Sequence, residues 1–229
     1  MNIRFKNRQE AGMLLARQLM RYAGRPDVIV LALPRGGVPV GFQVAAALSA
    51  PLDVVLARKI GMPGYPEYAI GAISHDESVF QDEAIEAYGI SPRVIEPIVA
   101  RERKELERRE LLYRAGRPPL QLGGKVVILV DDGLATGSTM RVALQSLRKQ
   151  KPARIVAAVP VAAAETRQEL AGVADEVVCI STPMPFYGVG QWYVDFEQTE
   201  DGEVIRLLQE AERNHPLAAW MAVPAPYGD

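Results

Sequence analysis

The sequence predicts an α/β fold in which helices cover both faces of a parallel β-sheet. Continuous apolar, β-branched runs at residues 28–33, 126–130 and 154–161 are typical of strands buried on both faces. Segments with helical spacing of apolar residues alternate with these runs along the chain. In such sheets ligands bind beyond the carboxyl ends of the strands, where the strand order switches. We therefore expect functional residues in the loops that follow the strands.

Local signals place each element in order. Asn7 followed by Glu10 resembles a capping box, and Gly24 closes the first helix. Ser91 and Pro92 supply an N-cap and a first-turn proline for a long charged helix. The predicted strands are residues 28–33, 52–57, 126–130, 154–161 and 177–180. The predicted helices run from about residue 7 to 24, 38 to 48, 91 to 113 and 165 to 171, with one more that ends near 149.

A long insertion separates the second and third strands. Residues 58–80 are rich in Gly and Pro, and a short hairpin is expected around 69–80. Residues 101–110, RERKELERRE, interleave charges at i,i+3 and i,i+4, which is typical of a solvated helix with ion pairs. Its basic side chains could alternatively reach phosphate oxygens; these are Arg101, Lys104 and Arg108. Residues 116–124 read as a linker.

The composition excludes several classes of protein. The 229 residues are 48% hydrophobic, enough for one α/β domain with a substantial core. A net charge of -2 gives no overall attraction to nucleic acid, and no apolar run approaches the ~20 residues of a membrane span. The polar start does not resemble a secretory signal, and a single cysteine fits a reducing compartment. We expect a cytoplasmic protein with Cys179 packed in the core.

The first 27 residues carry a local basic excess. Such a cluster could face an anion or a partner, or it could be a solvated helix face. Its members are Arg4, Lys6, Arg8, Arg17, Arg21 and Arg25, against Glu10 and Asp27.

Residues 126–140, VVILVDDGLATGSTM, are the most informative stretch. A buried strand ends in two carboxylates, Asp131 and Asp132, and a small-residue loop then opens a helix. The first N–H groups of a helix lack intrahelical partners and lie at its positive end, so they can bind a phosphate. Carboxylates cannot help there, but they can accept hydrogen bonds from vicinal ribose hydroxyls or contact a divalent cation.

A simpler explanation is a turn after a strand, with Thr136 or Ser138 as the helix N-cap. We favour a ligand site because hydroxyls, acids and glycines occur together, and Gly133 and Gly137 permit close backbone approach. The loop is not a Walker A motif, because no Lys follows its second glycine. It also lacks the glycine spacing of a dinucleotide-binding fingerprint.

A second candidate loop, Pro34-Arg35-Gly36-Gly37, follows the first strand. Gly36 and Gly37 let main-chain N–H groups point into one concavity, and Arg35 adds a planar cation. This suits a pyrophosphate, although a plain glycine turn before a helix would have the same sequence.

The run 126–140 resembles the phosphoribosyl-pyrophosphate (PRPP) binding motif of type I phosphoribosyltransferases: a hydrophobic strand, two acids, then a small-residue loop ending Thr-Gly-Ser-Thr. The order of elements matches from about residue 7 to 200, and the chain resembles a group of bacterial predicted phosphoribosyltransferases. The resemblance implies one domain over residues 1–229. Its parts would be a core at 7–181, an inserted mobile region at 58–124, a small C-terminal hood at 182–212 and a tail at 213–229.

The resemblance also implies site roles. The catalytic set would be Asp131, Asp132 and Arg35, with the acids on the ribose hydroxyls. The 5′-phosphate would be bound by Ala135, Thr136, Gly137, Ser138 and Thr139. The pyrophosphate would be bound by Arg35, Gly36 and Gly37, in a loop that often holds a non-proline cis peptide, and by Arg58 or Lys59. Mg²⁺ would be held mainly by substrate, with Asp131 or Asp132 as a further ligand.

Some assignments keep an alternative. Arg58 or Lys59 could instead be a solvated charge in the mobile loop that closes over PRPP, and His75 could touch substrate or simply be exposed. In the hood, Phe186, Tyr187 or Trp192 could stack on a flat acceptor, or they could form a satellite hydrophobic cluster. Residues 195–197 are expected to mark a hood strand.

The implied reaction is Mg²⁺-dependent transfer of phosphoribose from PRPP to a nitrogenous acceptor, with release of pyrophosphate. Family enzymes for 6-oxopurines usually carry an aspartate where Ala135 stands, which argues against hypoxanthine or guanine. The resemblance also implies a homodimer. Two alternatives stay open: a PRPP-sensing regulator with the same fold, and a nucleotide or sugar-phosphate hydrolase.

Overall fold

The computed structural model describes residues 4–74, 78–80 and 82–222. The strands are β1 Val28–Ala32, β2 Leu52–Val54, β3 Ala57–Met62, β4 Tyr65–Ser74, β5 Ser78–Phe80, β6 Val126–Val130, β7 Arg154–Val161 and β8 Glu176–Ser181. The helices are α1 Arg8–Gln18, α2 Gly37–Leu48, α3 Asp82–Ala87, α4 Pro92–Arg114, α5 Ser138–Lys149, α6 Ala164–Leu170, α7 Asp201–Asn214 and α8 Leu217–Met221. Short 3-10 helices span Met20–Tyr22 and Val189–Trp192.

The central sheet has five strands in the order β2-β1-β6-β7-β8, and every neighbouring pair is parallel. The predicted α/β class with a parallel sheet is therefore confirmed. The chain order reverses between β1 and β6, which makes the carboxyl ends of these two strands the switch point. Both candidate loops begin there.

Helices cover both faces of this sheet, which explains why its strands are apolar at every position. Val28 and Val30 belong to a cluster with α1, α2 and α7, whereas Ile29 and Leu31 belong to a second cluster with α5, α6 and α8. Cys179 is partly buried against the second cluster, and burial raises the pKa of its thiol. Within the described ranges, every helix is too short or too polar to cross a bilayer.

The insertion is a folded unit, which corrects the expectation of a mainly Gly- and Pro-rich loop. The second core strand ends at Val54, and Ala57 already begins an antiparallel sheet of order β3-β4-β5. The expected hairpin corresponds to β4 and β5, but β3 and α3 were not predicted. A separate cluster that includes Ile60, Ile73 and Leu106 packs this sheet against α4.

Helix α4 confirms its predicted start, because the Ser91 hydroxyl accepts a hydrogen bond from Arg93 N at 3.3 Å and Pro92 is the first helical residue. The predicted hood strand at residues 195–197 is wrong. That segment has no regular secondary structure, and Asp195 Oδ1 accepts the N–H of Glu197 at 3.1 Å. The alternating charges therefore come from a local side-chain turn rather than from a pleated strand.

Candidate active site

Two adjacent carboxylates lie at the switch point of the sheet. Asp131 and Asp132 directly follow β6 and are half-buried. The Asp132 carboxylate accepts a hydrogen bond from Arg8 Nε at 2.7 Å, and the Asp132 carbonyl accepts one from the Tyr193 hydroxyl at 2.6 Å. Asp131 Oδ1 accepts the backbone N–H of Asp132 at 2.8 Å. Contacts from both ends of the chain thus fix the second acid.

The surroundings of the pair disfavour negative charge. Burial raises the pKa of the Asp131 carboxyl well above its usual value, and the adjacent Asp132 carboxylate raises it further. Burial also raises the pKa of Asp132, while the Arg8 guanidinium opposes that rise. A ligand that brings hydroxyl donors or a cation to these oxygens would favour their ionised forms.

The loops after β1 and β6 approach so closely that only glycine fits between them. A Cβ atom on Gly36 would lie 2.0 Å from Asp132 Oδ2, and one on Gly37 would lie 2.8 Å from the Val130 carbonyl oxygen. Gly36 has an ordinary helical φ of -61°, so space rather than backbone conformation requires glycine there. The structure therefore brings the two predicted loops together.

The small-residue loop after the acids is tied to β7 and α6. Leu134 N donates to the Val161 carbonyl at 2.9 Å, and Ala163 N donates to the Leu134 carbonyl at 3.0 Å. The Thr166 hydroxyl donates to the Ala135 carbonyl at 2.6 Å. These bonds turn the loop so that α5 begins beside the acid pair.

Helix α5 begins without a capping side chain. Its N-cap residue is Gly137, with φ of +67°, so the simpler explanation that Thr136 or Ser138 caps the helix is wrong. A Cβ atom on Gly137 would lie 2.6 Å from Thr166 Cγ2. The Ser138 hydroxyl donates to the Thr136 hydroxyl at 3.3 Å, while Ala135 and Thr136 are exposed. The first amides of α5 and two hydroxyls are thus grouped in one loop.

The loop after β1 presents Arg35 next to the start of α7. The Pro34–Arg35 peptide bond is cis, as the resemblance implied. Arg35 Nη1 lies 3.6 Å from Asp201 Oδ1 and 4.0 Å from Glu200 Oε2. Asp201 also accepts a hydrogen bond from the Tyr113 hydroxyl. Helix α4 of the insertion, the start of α7 and the β1 loop therefore meet at this acid.

The two basic residues predicted in a loop after the second strand lie elsewhere. Arg58 and Lys59 lie within β3, opposite Ile73 and Ala72 of β4. Arg58 Nε donates to Glu102 Oε2 of α4 at 2.5 Å, so it joins the antiparallel sheet to that helix. Their predicted position in a loop is therefore wrong, because the strand begins two residues after Val55.

Two of the other basic candidates of the insertion, Arg101 and Arg108, are ion-paired along α4. Arg101 contacts Glu102 at 3.0 Å, and Arg108 contacts Glu105 at 2.8 Å. This agrees with the expectation of a solvated helix with ion pairs. His75 lies outside the described residues.

The aromatic hood residues divide into two groups. The rings of Phe186 and Trp192 stack on each other at 6.3 Å, and both pack against a small cluster that includes Phe5 and Tyr193. Tyr187 is 85% exposed. Phe186 and Trp192 thus form the satellite cluster considered above, whereas Tyr187 is free to meet a ligand.

A phosphoribosyl transferase domain model matches residues 5–196. The chain belongs to the phosphoribosyl transferase family. Its sheet order and flanking helices are those of the type I phosphoribosyltransferase fold, so the resemblance seen in residues 126–140 is confirmed.

Individual relatives agree with this family assignment. Two Mycobacterium tuberculosis proteins, from strains CDC 1551 and H37Rv, are each 42% identical over 211 residues, or 92% of this chain. The H37Rv relative is named "Putative phosphoribosyl transferase Rv0571c". The chain spans about half, 47%, of the length of each. The crystal structure of TT1426 from Thermus thermophilus is also 42% identical, with a TM-score of 0.76 over 91% of this chain and 99% of that one.

In this member of the phosphoribosyl transferase family, sequence reasoning missed several residues around the acids. Arg8 was grouped with a general basic excess, but it contacts Asp132 from 124 positions away. Tyr193 and Thr166 carry no local signal, because a buried tyrosine and a helix-start threonine are common. Asp201 could have been noticed as an acid in the first turn of α7, but its Arg35 contact depends on the fold.

Proposed function

We propose that this chain transfers the phosphoribosyl group of PRPP to a nitrogenous acceptor, with release of pyrophosphate. The observation that carries the proposal is the position of Asp131 and Asp132 at the switch point, between the uncapped starts of α5 and α2. The backbone N–H groups at one helix start would bind the 5′-phosphate of PRPP, and those at the other would bind its pyrophosphate. The two carboxylates would bind the sugar between them.

The 5′-phosphate would bind at the start of α5. Residues 135–139 offer backbone N–H groups at the positive end of the helix and the hydroxyls of Thr136, Ser138 and Thr139. Gly137 gives the loop its left-handed turn and leaves no side chain in the way.

The pyrophosphate would bind at the loop after β1. Gly36 offers a backbone N–H at the start of α2, and Arg35 offers a planar guanidinium cation. Gly37 contributes open space, because its own N–H already donates to the Leu33 carbonyl at 3.0 Å. Arg58 and Lys59 are weaker candidates for pyrophosphate binding than the sequence indicated, because they lie within a strand of the insertion and not in a mobile loop.

Asp131 and Asp132 would accept hydrogen bonds from the ribose hydroxyls. Their adjacent carboxylates also offer the hard oxygen donors that Mg²⁺ prefers, so the residues present fit the ion. When bound with PRPP, Mg²⁺ would neutralise charge on the departing pyrophosphate. As the bond from ribose C1 breaks, positive charge develops on the sugar, and the nearby carboxylates stabilise it.

The acceptor would enter from the hood side. Of the three hood aromatics predicted to stack on a flat ring, Tyr187 is the exposed one. Ala135 leaves the loop without the carboxylate expected for 6-oxopurine acceptors, which supports a different nitrogenous acceptor. The homodimer and the cytoplasmic location remain predictions.

The test is to incubate the protein with PRPP, Mg²⁺ and a panel of bases while following pyrophosphate release. We expect release with one acceptor class, and a loss of about 10³-fold in kcat/KM for the Asp131→Asn, Asp132→Asn double variant. A matched control is Asp195→Asn, an exposed hood acid whose replacement keeps the oxygen that accepts the Glu197 N–H. PRPP binding without pyrophosphate release would favour a PRPP-sensing protein. The absence of both PRPP binding and pyrophosphate release would contradict the proposal.

A further inference from the structure

The contact between α1 and the acid pair has no role in the function proposed above. Arg8 is the first residue of α1, and its side chain is only 12% exposed. Its Nε donates to Asp132 Oδ2 at 2.7 Å, and its Nη1 donates to the Glu197 carbonyl at 2.6 Å. The guanidinium also lies over the ring of Phe196, with Cζ 3.9 Å from the centroid.

This side chain is therefore held on three sides. A planar guanidinium that bonds a carboxylate and a carbonyl while stacking on a ring has little rotational freedom left. The backbone at Arg8 is also fixed, because the Asn7 side chain caps the start of α1 by accepting the N–H of Glu10 at 2.9 Å. Arg8 is thus fixed before any ligand arrives.

The acid that it contacts is fixed as well. Tyr193 donates its hydroxyl to the Asp132 carbonyl at 2.6 Å, and the Asp132 carboxylate fills space that a Cβ atom on Gly36 would occupy. Arg8 Nε itself would lie 3.1 Å from a Cβ atom on Gly36. One guanidinium therefore touches the β6 loop and the hood segment and lies directly beside the β1 loop.

We infer that Arg8 is a positioning residue for Asp132: it aims the carboxylate at the ribose and ties it to hood residues 196 and 197. The inference rests on the proposed function for the ribose, but the contact can be tested without PRPP. Arg8 acts through Asp132 and is not assigned a contact with the substrate.

The test compares Arg8→Met and Arg8→Lys with Arg148→Met. Arg148 is a matched control, because it also bonds a carboxylate and a carbonyl, those of Asp175 and Val173, at the far end of α5. The first measurement is a crystal structure of each variant without PRPP, which shows where the Asp132 carboxylate points. We expect the carboxylate to turn away from its wild-type position, or to occupy two positions, in Arg8→Met, and to keep its wild-type position in Arg8→Lys and Arg148→Met.

The second measurement is PRPP binding with Mg²⁺ by calorimetry at pH 7. We expect Arg8→Met to bind about tenfold or more weakly, Arg8→Lys to recover part of the affinity and Arg148→Met to bind like the wild type. An unmoved Asp132 carboxylate in Arg8→Met would overturn the inference, as would wild-type affinity of that variant. If the wild-type protein itself did not bind PRPP, the proposed function would fail while the crystal structures still tested Arg8.

Discussion

Arg35 Nη1 lies 3.6 Å from Asp201 Oδ1, which places the cation of the β1 loop against the first residue of α7. Asp201 also faces Arg108 Nη2 at 3.6 Å, and the nearby arginines lower the pKa of its carboxyl, after the larger effect of the Tyr113 hydrogen bond. The candidate pyrophosphate cation is therefore partly neutralised by an acid. An anion that binds at Arg35 would compete with that acid.

Asp201→Asn should tighten the binding of inorganic pyrophosphate. The amide keeps an oxygen for the Tyr113 hydroxyl but removes the charge that neutralises Arg35. Since the pair is partly exposed, we expect a gain of only about two- to fivefold at low salt, shrinking as salt rises. Calorimetry with Glu210→Gln as the control on the same helix checks this, because Glu210 pairs with Arg206 instead. Equal or weaker binding by Asp201→Asn would refute it.

Asp131→Asn should stabilise the protein at neutral pH. The folded-state pKa of Asp131 is raised by burial, so the native state binds more protons than the unfolded chain above the ordinary carboxyl pKa. Stability due to this group is therefore present at acid pH and is lost as pH rises through the raised pKa. The amide removes that loss and keeps the oxygen that accepts Asp132 N–H.

Urea unfolding between pH 4 and 8 measures the effect. We expect Asp131→Asn to gain about 1 kcal/mol at pH 7, with the difference shrinking toward pH 4. Lower stability of the variant at pH 7 would contradict the raised pKa. Higher stability of Asp131→Asn at pH 7 would mean that the Asp131 carboxyl contributes to ligand binding rather than to the stability of the fold.

Local signals were enough for the central sheet except for the end of its second strand, which stops at Val54 rather than at residue 57. The strands at residues 126–130 and 154–161 and the caps at Asn7 and Ser91 match the structure, because each depends on neighbouring residues alone. The loops after β1 and β6 were also found from sequence, since parallel strands bring their carboxyl ends to one edge.

The insertion and the hood could not be predicted in this way. The pairing of strand β3 with β4 shifts register around Gly61, and the chain turns at Gly64 just after β3, so the sequence pattern of this segment resembles a loop. The contacts of Arg8 with Asp132 and of Arg35 with Asp201 join distant parts of the chain. No spacing along the sequence encodes them.

Gly137→Ala should destabilise the fold for two separable reasons. Its φ of +67° costs an L-residue about 1–2 kcal/mol, and the new methyl would meet Thr166 Cγ2 at 2.6 Å. Thr166→Ser removes that methyl but keeps a hydroxyl for the Ala135 carbonyl. In a double-mutant cycle by urea unfolding, adding Thr166→Ser to Gly137→Ala should restore the unfolding free energy lost to the methyl clash. The loss due to backbone strain should remain. Additive losses would rule out the predicted clash.

Among the hood aromatics, Trp192 should contribute mainly to stability and Tyr187 mainly to acceptor binding. Trp192→Ala removes a ring stacked on Phe186, so we expect a loss of about 1–3 kcal/mol in stability. Tyr187→Ala removes an exposed ring and should change stability by less than about 0.5 kcal/mol while weakening acceptor use. Thermal unfolding and the pyrophosphate-release assay measure both. A strong stability loss for Tyr187→Ala would place it in the structural cluster instead.

Diffraction from crystals soaked in ribose 5-phosphate tests the central claim most directly. We expect phosphate density within hydrogen-bond distance of the amides of residues 137–139, with the ribose hydroxyls on the carboxylates of Asp131 and Asp132. Density at any other place on the molecule, with this loop empty, would contradict the account.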